Sequence, residues 1–419
     1  MRPFSDLGKT AGARHAPAVQ QGNESKAALE GLLREGARRL LQQAIEHEVV
    51  EYVAAHKAIT DEDGRHQVVR NGWKKARDLQ TGIGRVEIRQ PRVNDRRKGE
   101  RFTSQILPPY MRRTPSVDAL IPALYLRGIS TGDFTEALAA ILGPQAAGLS
   151  ATNIVRLKES WQKDYDLWRQ RDLSGAQYVY VWVDGIHFNV RLEDDRTCML
   201  VVMGATKDGR KELLAVQDGH RESKLSWQEV IRDLKQRGLK DSPALAVGDG
   251  ALGFWAAQEE EWPATRPQRC WVHKTANILD KLPTGMRAKA KQQIHDMYMA
   301  ETKAKALQAF NHFISLYEAK YPKACECLKK DQDVLFNFYN FPAEHWIHIR
   351  TTNPIEPTFA TVRHRTQLTK GCGSRNATLT MVFKLAIEAE KHWRKLNKHE
   401  LILKVLEGAI FEDGILKAA

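Results

Sequence analysis

The chain has 419 residues, 27% of them charged and 42% apolar, with 64 Lys and Arg against 51 Asp and Glu and a formal charge of +13. That length holds two or three domains with a sizeable core, and the composition excludes a disordered chain. The apolar run Tyr178 to Val183 is far too short to cross a bilayer, and the first thirty residues lack a secretory pattern. An intracellular, cytoplasmic protein with no membrane partner is expected. Cys198, Cys270, Cys325, Cys327 and Cys372 are odd in number and scattered, which fits a reducing compartment and not a disulfide framework. The basic charge is clustered, with fourteen Lys or Arg against four Asp or Glu between Arg65 and Arg113, and a second cluster from Arg363 to Lys398. Clustered cations point to a polyanion, because neutralised phosphates release condensed counterions.

In chain order, residues 1–24 are polar and basic and read as a mobile arm. From Ser25 to about His56, Leu32, Leu33, Leu40, Leu41, Ile45, Val49 and Val53 recur at helical steps. Residues 65–114 read as short β-pieces separated by the turn chemistry of Asn71-Gly72 and Gly82-Ile83-Gly84. Two readings of this element stand, a basic surface against DNA backbone, carried by Arg96, Arg97 and Lys98, and a merely structural hairpin. Three helical stretches follow, about 115–127, 131–142 and 150–170, with Ser130 and Ser150 as N-caps. They suit a helix-turn-helix unit or a plain helix triplet, and the turn Gly143 to Leu149 is long for the former.

The pattern then becomes α/β. Tyr178 to Val183 reads as a strand buried on both faces, 197–204 and 212–217 as two more, turned by Lys207 to Arg210. A helix from Lys224 to Arg237, a strand Ala244 to Val247, another helix and a fifth strand Gln268 to Val272 follow. Three sequential strands, a helix, a strand and a helix form the opening order of the ribonuclease-H-like fold. From Thr284 to Leu335 the chain is helical and charged, as in an inserted domain.

Asp184 and Asp249 each close a buried strand beside glycine, where two carboxylates on neighbouring strand ends can clamp a divalent ion. Turn-initiating Asp-Gly pairs would look the same. Glu356 sits in Thr351-Thr352-Asn353-Pro354-Ile355-Glu356, where a capping box from Asn353 explains it without chemistry. Cys270 and His273 are too isolated for a structural zinc site, and the second Cys pair, Cys325 and Cys327, is too tightly spaced. His187 either faces the same cleft or simply follows strand alternation.

These residues, with Val183-Asp184-Gly185-Ile186-His187, Gly248-Asp249-Gly250, Arg269-Cys270-Trp271-Val272-His273-Lys274 and Arg363-His364-Arg365-Thr366, make the chain resemble the Mutator-type insertion-sequence transposases over nearly its whole length. The resemblance implies a DDE centre of Asp184, Asp249 and Glu356 on a ribonuclease-H-like α/β core with a helical insertion, and the family's Cys-x-x-His pair at Cys270 and His273. It further implies Mg2+ or Mn2+ on those carboxylates. The substrate would be double-stranded DNA, element terminal inverted repeats and target, handled by a homodimer or higher assembly. Read from the residues themselves, the basic run Arg363-His364-Arg365 lies along the helix that carries Glu356 and would suit a nucleic-acid strand near the same cleft. The expected divisions are an arm and helices to 64, the β-element 65–114, helices 115–172, core 173–283, insertion 284–344, core helix 345–400 and a tail 401–419. Where the family carries a small polar residue after the Glu, this chain has Pro357, which biases Glu356 away from helical angles. The alternative is accordingly an inactive, transposase-derived DNA-binding protein.

Overall fold

The computed structural model describes residues 17–127, 129, 134–142, 151–188, 197–219, 222–250, 252–356, 359–360, 362–363 and 374–417. Contacts divide the chain into two compact units, Met1–Ile154 and Val155–Ala419. Ser130, the turn 143–149, Ser150, Pro357, Arg365 and Cys372 lie outside the described residues.

In the first unit, helix α1 (Pro17–Ala55) starts eight residues before the expected Ser25, so residues 17–24 are helical and not an arm. Its apolar stripe packs Ile45 and Leu41 against Leu79, Ile88 and Leu107. Leu79 and Ile88 belong to two of four short strands, β1 (Val68–Trp73), β2 (Arg77–Thr81), β3 (Gly84–Ile88) and β4 (Pro91–Asp95), and Leu107 to the loop after them. β2 and β3 form a hairpin in which Thr81 pairs with Gly84 across Gly82-Ile83, and Gly84 takes the positive φ of 108° that the tight turn requires. Asn71-Gly72 behaves differently from the expected turn. Both residues lie inside β1, at the irregularity between Arg70 and Trp73 where β1 pairs with β4. Gly72 at φ 65° lets the strand bulge instead of reversing. Helices α2 (Pro115–Leu126) and α3 (Phe134–Leu142) complete the unit. Helix α4 (Ala151–Arg169) carries the chain into the second unit.

The second unit is built on a five-stranded sheet: β5 (Tyr178–Phe188), β6 (Thr197–Thr206), β7 (Lys211–Gly219), β8 (Leu245–Gly248) and β9 (Arg266–Arg269), in spatial order β7-β6-β5-β8-β9. β6 runs antiparallel to both β5 and β7, whereas β8 and β9 run parallel to β5. Alternation along β5 sends Val181 and Val183 to one face. There they meet Leu200, Val202, Trp227 and Val230 of a core that helices α5 (Lys224–Gln236) and α6 (Leu252–Glu261) close. Burying Phe254 of that core contributes about 1.5–3 kcal/mol. Tyr180 and Trp182 point the other way. The Tyr180 hydroxyl bonds His345 Nδ1 at 2.8 Å, and Trp182 Nε1 donates to the His348 carbonyl at 2.9 Å.

The fifth strand is shorter than its apolar letters suggested. It ends at Arg269, and Trp271–Leu279 is helix α7, with Cys270 at its N-cap position. The helical stretch is as expected, with α8 (Thr284–Met299), α9 (Lys303–Tyr317), α10 (Pro322–Lys329) and α11 (Gln332–Leu335). The short α12 (Trp346–Ile349) and α13 (Arg375–Glu390) follow. Residues 401–417 are no loose tail: α14 (Leu401–Leu406) and a hairpin of β10 (Phe411–Glu412) and β11 (Ile415–Leu416) bury Ile402 and Phe411.

Candidate active site

Parallel pairing fixes a row of strand ends. The pairing of β5 with β8 runs to Trp182–Val247, and two residues beyond it on each chain segment come Asp184 and Asp249, near enough for one charge to raise the other's carboxyl. Gly248 pairs with Arg269, and the next N–H, of Cys270, donates to the Gly248 carbonyl at 2.8 Å. β5 does not end at Asp184 as its sequence implied, because it continues along β6 to Phe188. Asp184 is nonetheless at the edge left where β8 stops. The glycines have physical work here. A Cβ on Gly250, at φ 93°, would lie 1.2 Å from Arg269 Nη1, and one on Gly185 would lie 1.5 Å from Glu222 Oε1.

Glu356 reaches this row through a chain of staples. The Trp182–His348 bond holds α12 on β5, and the Trp271 N–H donates to the Arg350 carbonyl at 3.0 Å. Thr352 is the hub that follows. Its N–H donates to Cys270 Sγ at 3.2 Å, and its hydroxyl lies 3.3 Å from His273 Nδ1 and donates to Glu356 Oε1 at 3.3 Å. Its carbonyl accepts the N–H groups of Ile355 and Glu356, so the turn closes on Thr352, one residue before the expected Asn353 cap. Glu356 is helical despite the following proline. Because Cys270 and His273 are three apart at a helix start, they share a face, and each brings a ligand atom within 4.8 Å of the other's and of a Glu356 oxygen.

The charges on this row are in conflict. Burial, then Asp249 and Glu222, push the Asp184 carboxyl up to about 7, against the pull of His273 and the Gly185 N–H. Burial, then Asp249, push Glu222 up to about 7. His273 is raised to about 9, first by its bond to Cys270 and then by Asp184 and Asp249. Burial raises the Cys270 thiol, but His273 outweighs it and the net direction is down. Burial and mutual repulsion thus raise Asp184 and Glu222 together, and His273 opposes the shift of both.

The sequence matches the model of the family described as "Transposase, Mutator family" over residues 11–396. The chain belongs to the Mutator family of transposases. It is 52% identical over 297 residues to the transposase for insertion sequence element IS6120 of Mycolicibacterium smegmatis, covering 71% of this chain and 91% of that one. It is 49% identical over 287 residues to the transposase for insertion sequence element IST2 of Acidithiobacillus ferrooxidans, covering 67% and 95%. A chain of the Drosophila P element transposase strand transfer complex aligns over 74% of this chain and 87% of its own, at 12% identity and a TM-score of 0.29.

Within this Mutator-family chain, Asp249 is near enough to raise the Asp184 carboxyl, and Glu356 joins Cys270 and His273 in a group that, among the described residues, includes neither aspartate. Arg363 is helical and exposed. In the first unit Arg96 and Lys98 are exposed, while Arg97 is engaged, its Nη2 bonding Asp95 Oδ2 at 2.7 Å and the Tyr52 hydroxyl at 2.8 Å. Sequence reasoning missed Thr352 and Glu222. Gly185 was the available signal for Glu222, since a glycine beside a motif aspartate marks space another group fills. It also missed Asp331, which bonds the buried Lys274 at 2.8 Å and pairs with Arg269 at 3.2 Å. That second contact is poorly aligned, leaving Arg269 Nε and Nη1 buried with no hydrogen-bond partner among the described residues.

Proposed function

We propose that this chain is a DDE transposase that cleaves the ends of an insertion element and joins them to target DNA, on a ribonuclease-H-like core. The strand order, three antiparallel strands with two parallel ones added beside the first, supports that core. The carrying observation is the Thr352 hub, which fastens Glu356 to Cys270 and His273, next to the strand ends bearing Asp184 and Asp249. The names of the relatives, transposases for insertion sequence elements, support the substrate.

The donor set fits hard divalent ions. It offers carboxylate oxygens whose mutual repulsion a cation relieves, and Asp184, Asp249 and Glu356 would hold Mg2+ or Mn2+. Such ions supply activation of a water or 3′-hydroxyl and stabilisation of the leaving oxygen in phosphoryl transfer. The protein's own part is positioning. Thr352 aims Glu356, neighbouring strands carry the two aspartates just past their last pair, and His273 offsets part of the Asp184 charge. Glu222, over Gly185, adds a fourth carboxylate to the same centre. Duplex DNA is the partner, and pairing two element ends calls for at least a dimer.

The test is cleavage of element-end duplex with magnesium. Asp184→Asn and Asp249→Asn should each lower cleavage by roughly a thousandfold while duplex binding persists. Cleavage by either variant at the parent rate removes that residue from the mechanism. Binding without cleavage by the parent would favour the inactive, transposase-derived reading.

A further inference from the structure

The first unit contains a cavity of about 320 Å³ lined by Lys74, Lys75, Arg77 and Arg101, with Phe102 and Tyr110 among its other walls. Among the described residues, no Asp or Glu lines it. Its walls are set in advance by bonds that use no free anion. Arg77 Nη2 donates to the carbonyls of Leu107 and Pro108, each at 3.0 Å, and Lys74 Nζ donates to Gln90 Oε1 at 2.9 Å. Glu48 of α1 does reach the loop, but it is engaged there, accepting from the Ser104 hydroxyl and from the Gln105 N–H at 2.6 Å.

Carbonyl and amide acceptors satisfy donors without cancelling net charge. The crowding is felt at Lys74, whose ammonium is pulled below its ordinary range by burial and then by Arg101, Arg77 and Arg92. Tyr110 at the rim is 93% exposed, and its φ of 66° is a left-handed conformation that residues with a side chain rarely adopt. A cavity of cations with an outward aromatic matches the backbone-plus-ring chemistry of a nucleic-acid strand.

We propose that this cavity seats one backbone phosphate of DNA, with Lys74, Lys75 and Arg101 supplying the charge and Tyr110 lying against the adjoining sugar or base. The inference rests on the transposase reading for its ligand, but not on the metal centre. It separates these residues from Arg97, whose charge is already committed to Asp95.

The full chain should be titrated with element-end duplex over a range of salt. In the triple variant Lys74→Gln, Lys75→Gln, Arg101→Gln, the log–log slope should fall by about one, with affinity lost alike on unrelated duplexes. Tyr110→Ala should weaken binding severalfold with the slope unchanged. Acylation of Lys74 and Lys75 should be blocked by duplex. A parent that binds duplex while the triple variant keeps the parent's slope overturns this inference alone. Protection of the lysines by inorganic phosphate but not by duplex also overturns it, marking a free-anion site. A parent without duplex affinity overturns both this and the function proposed above.

Discussion

The two units concentrate charge of opposite sign. In the second, Asp184, Asp249 and Glu222 crowd one another near His273, which Glu356 adjoins. In the first, Lys74, Lys75, Arg77 and Arg101 line one cavity with no carboxylate among the described residues. The surroundings differ in kind. The acidic row is held by buried bonds that span the second unit, whereas the basic cavity is walled by a short loop fastened to one helix. On the functions proposed above, the acidic row takes a metal and the basic cavity a phosphate. The contrast then teaches that a site for a metal has its scaffold fixed in depth, while a site for a phosphate needs only a shaped rim.

The strongest way to break that contrast is to attack the scaffold at Asp331. This carboxylate faces Lys274, 2% exposed, and Arg269, 8% exposed. Removing it leaves two buried cations without a counter-charge, which costs about 3–5 kcal/mol. Asp331→Ala should therefore lower the denaturation midpoint of the second unit by a corresponding amount. In the first unit Arg97, at 19% exposure, can turn to water, so Asp95→Ala should cost visibly less. Equal losses would show that the two units are fixed to the same depth.

The next effect is smaller and purely positional. Thr352→Val keeps volume and removes the hydroxyl that faces His273 and Glu356. Leaving those groups short of a partner costs about 1–3 kcal/mol, so cleavage should fall roughly ten- to hundredfold. Duplex binding and its salt slope should not move. A loss of binding equal to the loss of cleavage would remove Thr352 from the acidic row's geometry.

How much of this was legible depends on the reach of each interaction. The run Tyr178 to Val183 announced a central strand because a strand buried on both faces must be apolar throughout. Asp184 and Asp249 followed as the acids at its edge and its neighbour's. β9 was misplaced because Trp271 and Val272 are apolar, whereas the true strand, with Arg266, Pro267 and Arg269, is imposed by pairing with β8. Asn71-Gly72 has turn letters, yet pairing of β1 with β4 on both sides turns it into a bulge. Thr352 could not be found, since its partners Cys270 and His273 lie 82 and 79 residues away. No local pattern encodes a hub of that span.

The gentlest test uses protons as a substitute for metal. Asp184 and Glu222, each raised to about 7, bind more protons in the folded chain than in the unfolded one between about pH 4 and pH 7. Their contribution to stability is therefore complete at the acid end of that window and is lost as pH rises through 7. His273, raised to about 9, extends the same decline above neutrality. Glu35 and Asp208, held near 2, lose their stabilising share only on the acid side and leave this window alone. Metal-stripped protein should thus melt at a higher temperature at pH 5 than at pH 7.5. Asp184→Asn should flatten the profile, and added magnesium should restore stability mainly at the higher pH, where the carboxylates are ionised. If parent and Asp184→Asn give parallel pH profiles, burial and crowding do not raise the Asp184 carboxyl, and the contrast of the acidic row with the basic cavity disappears.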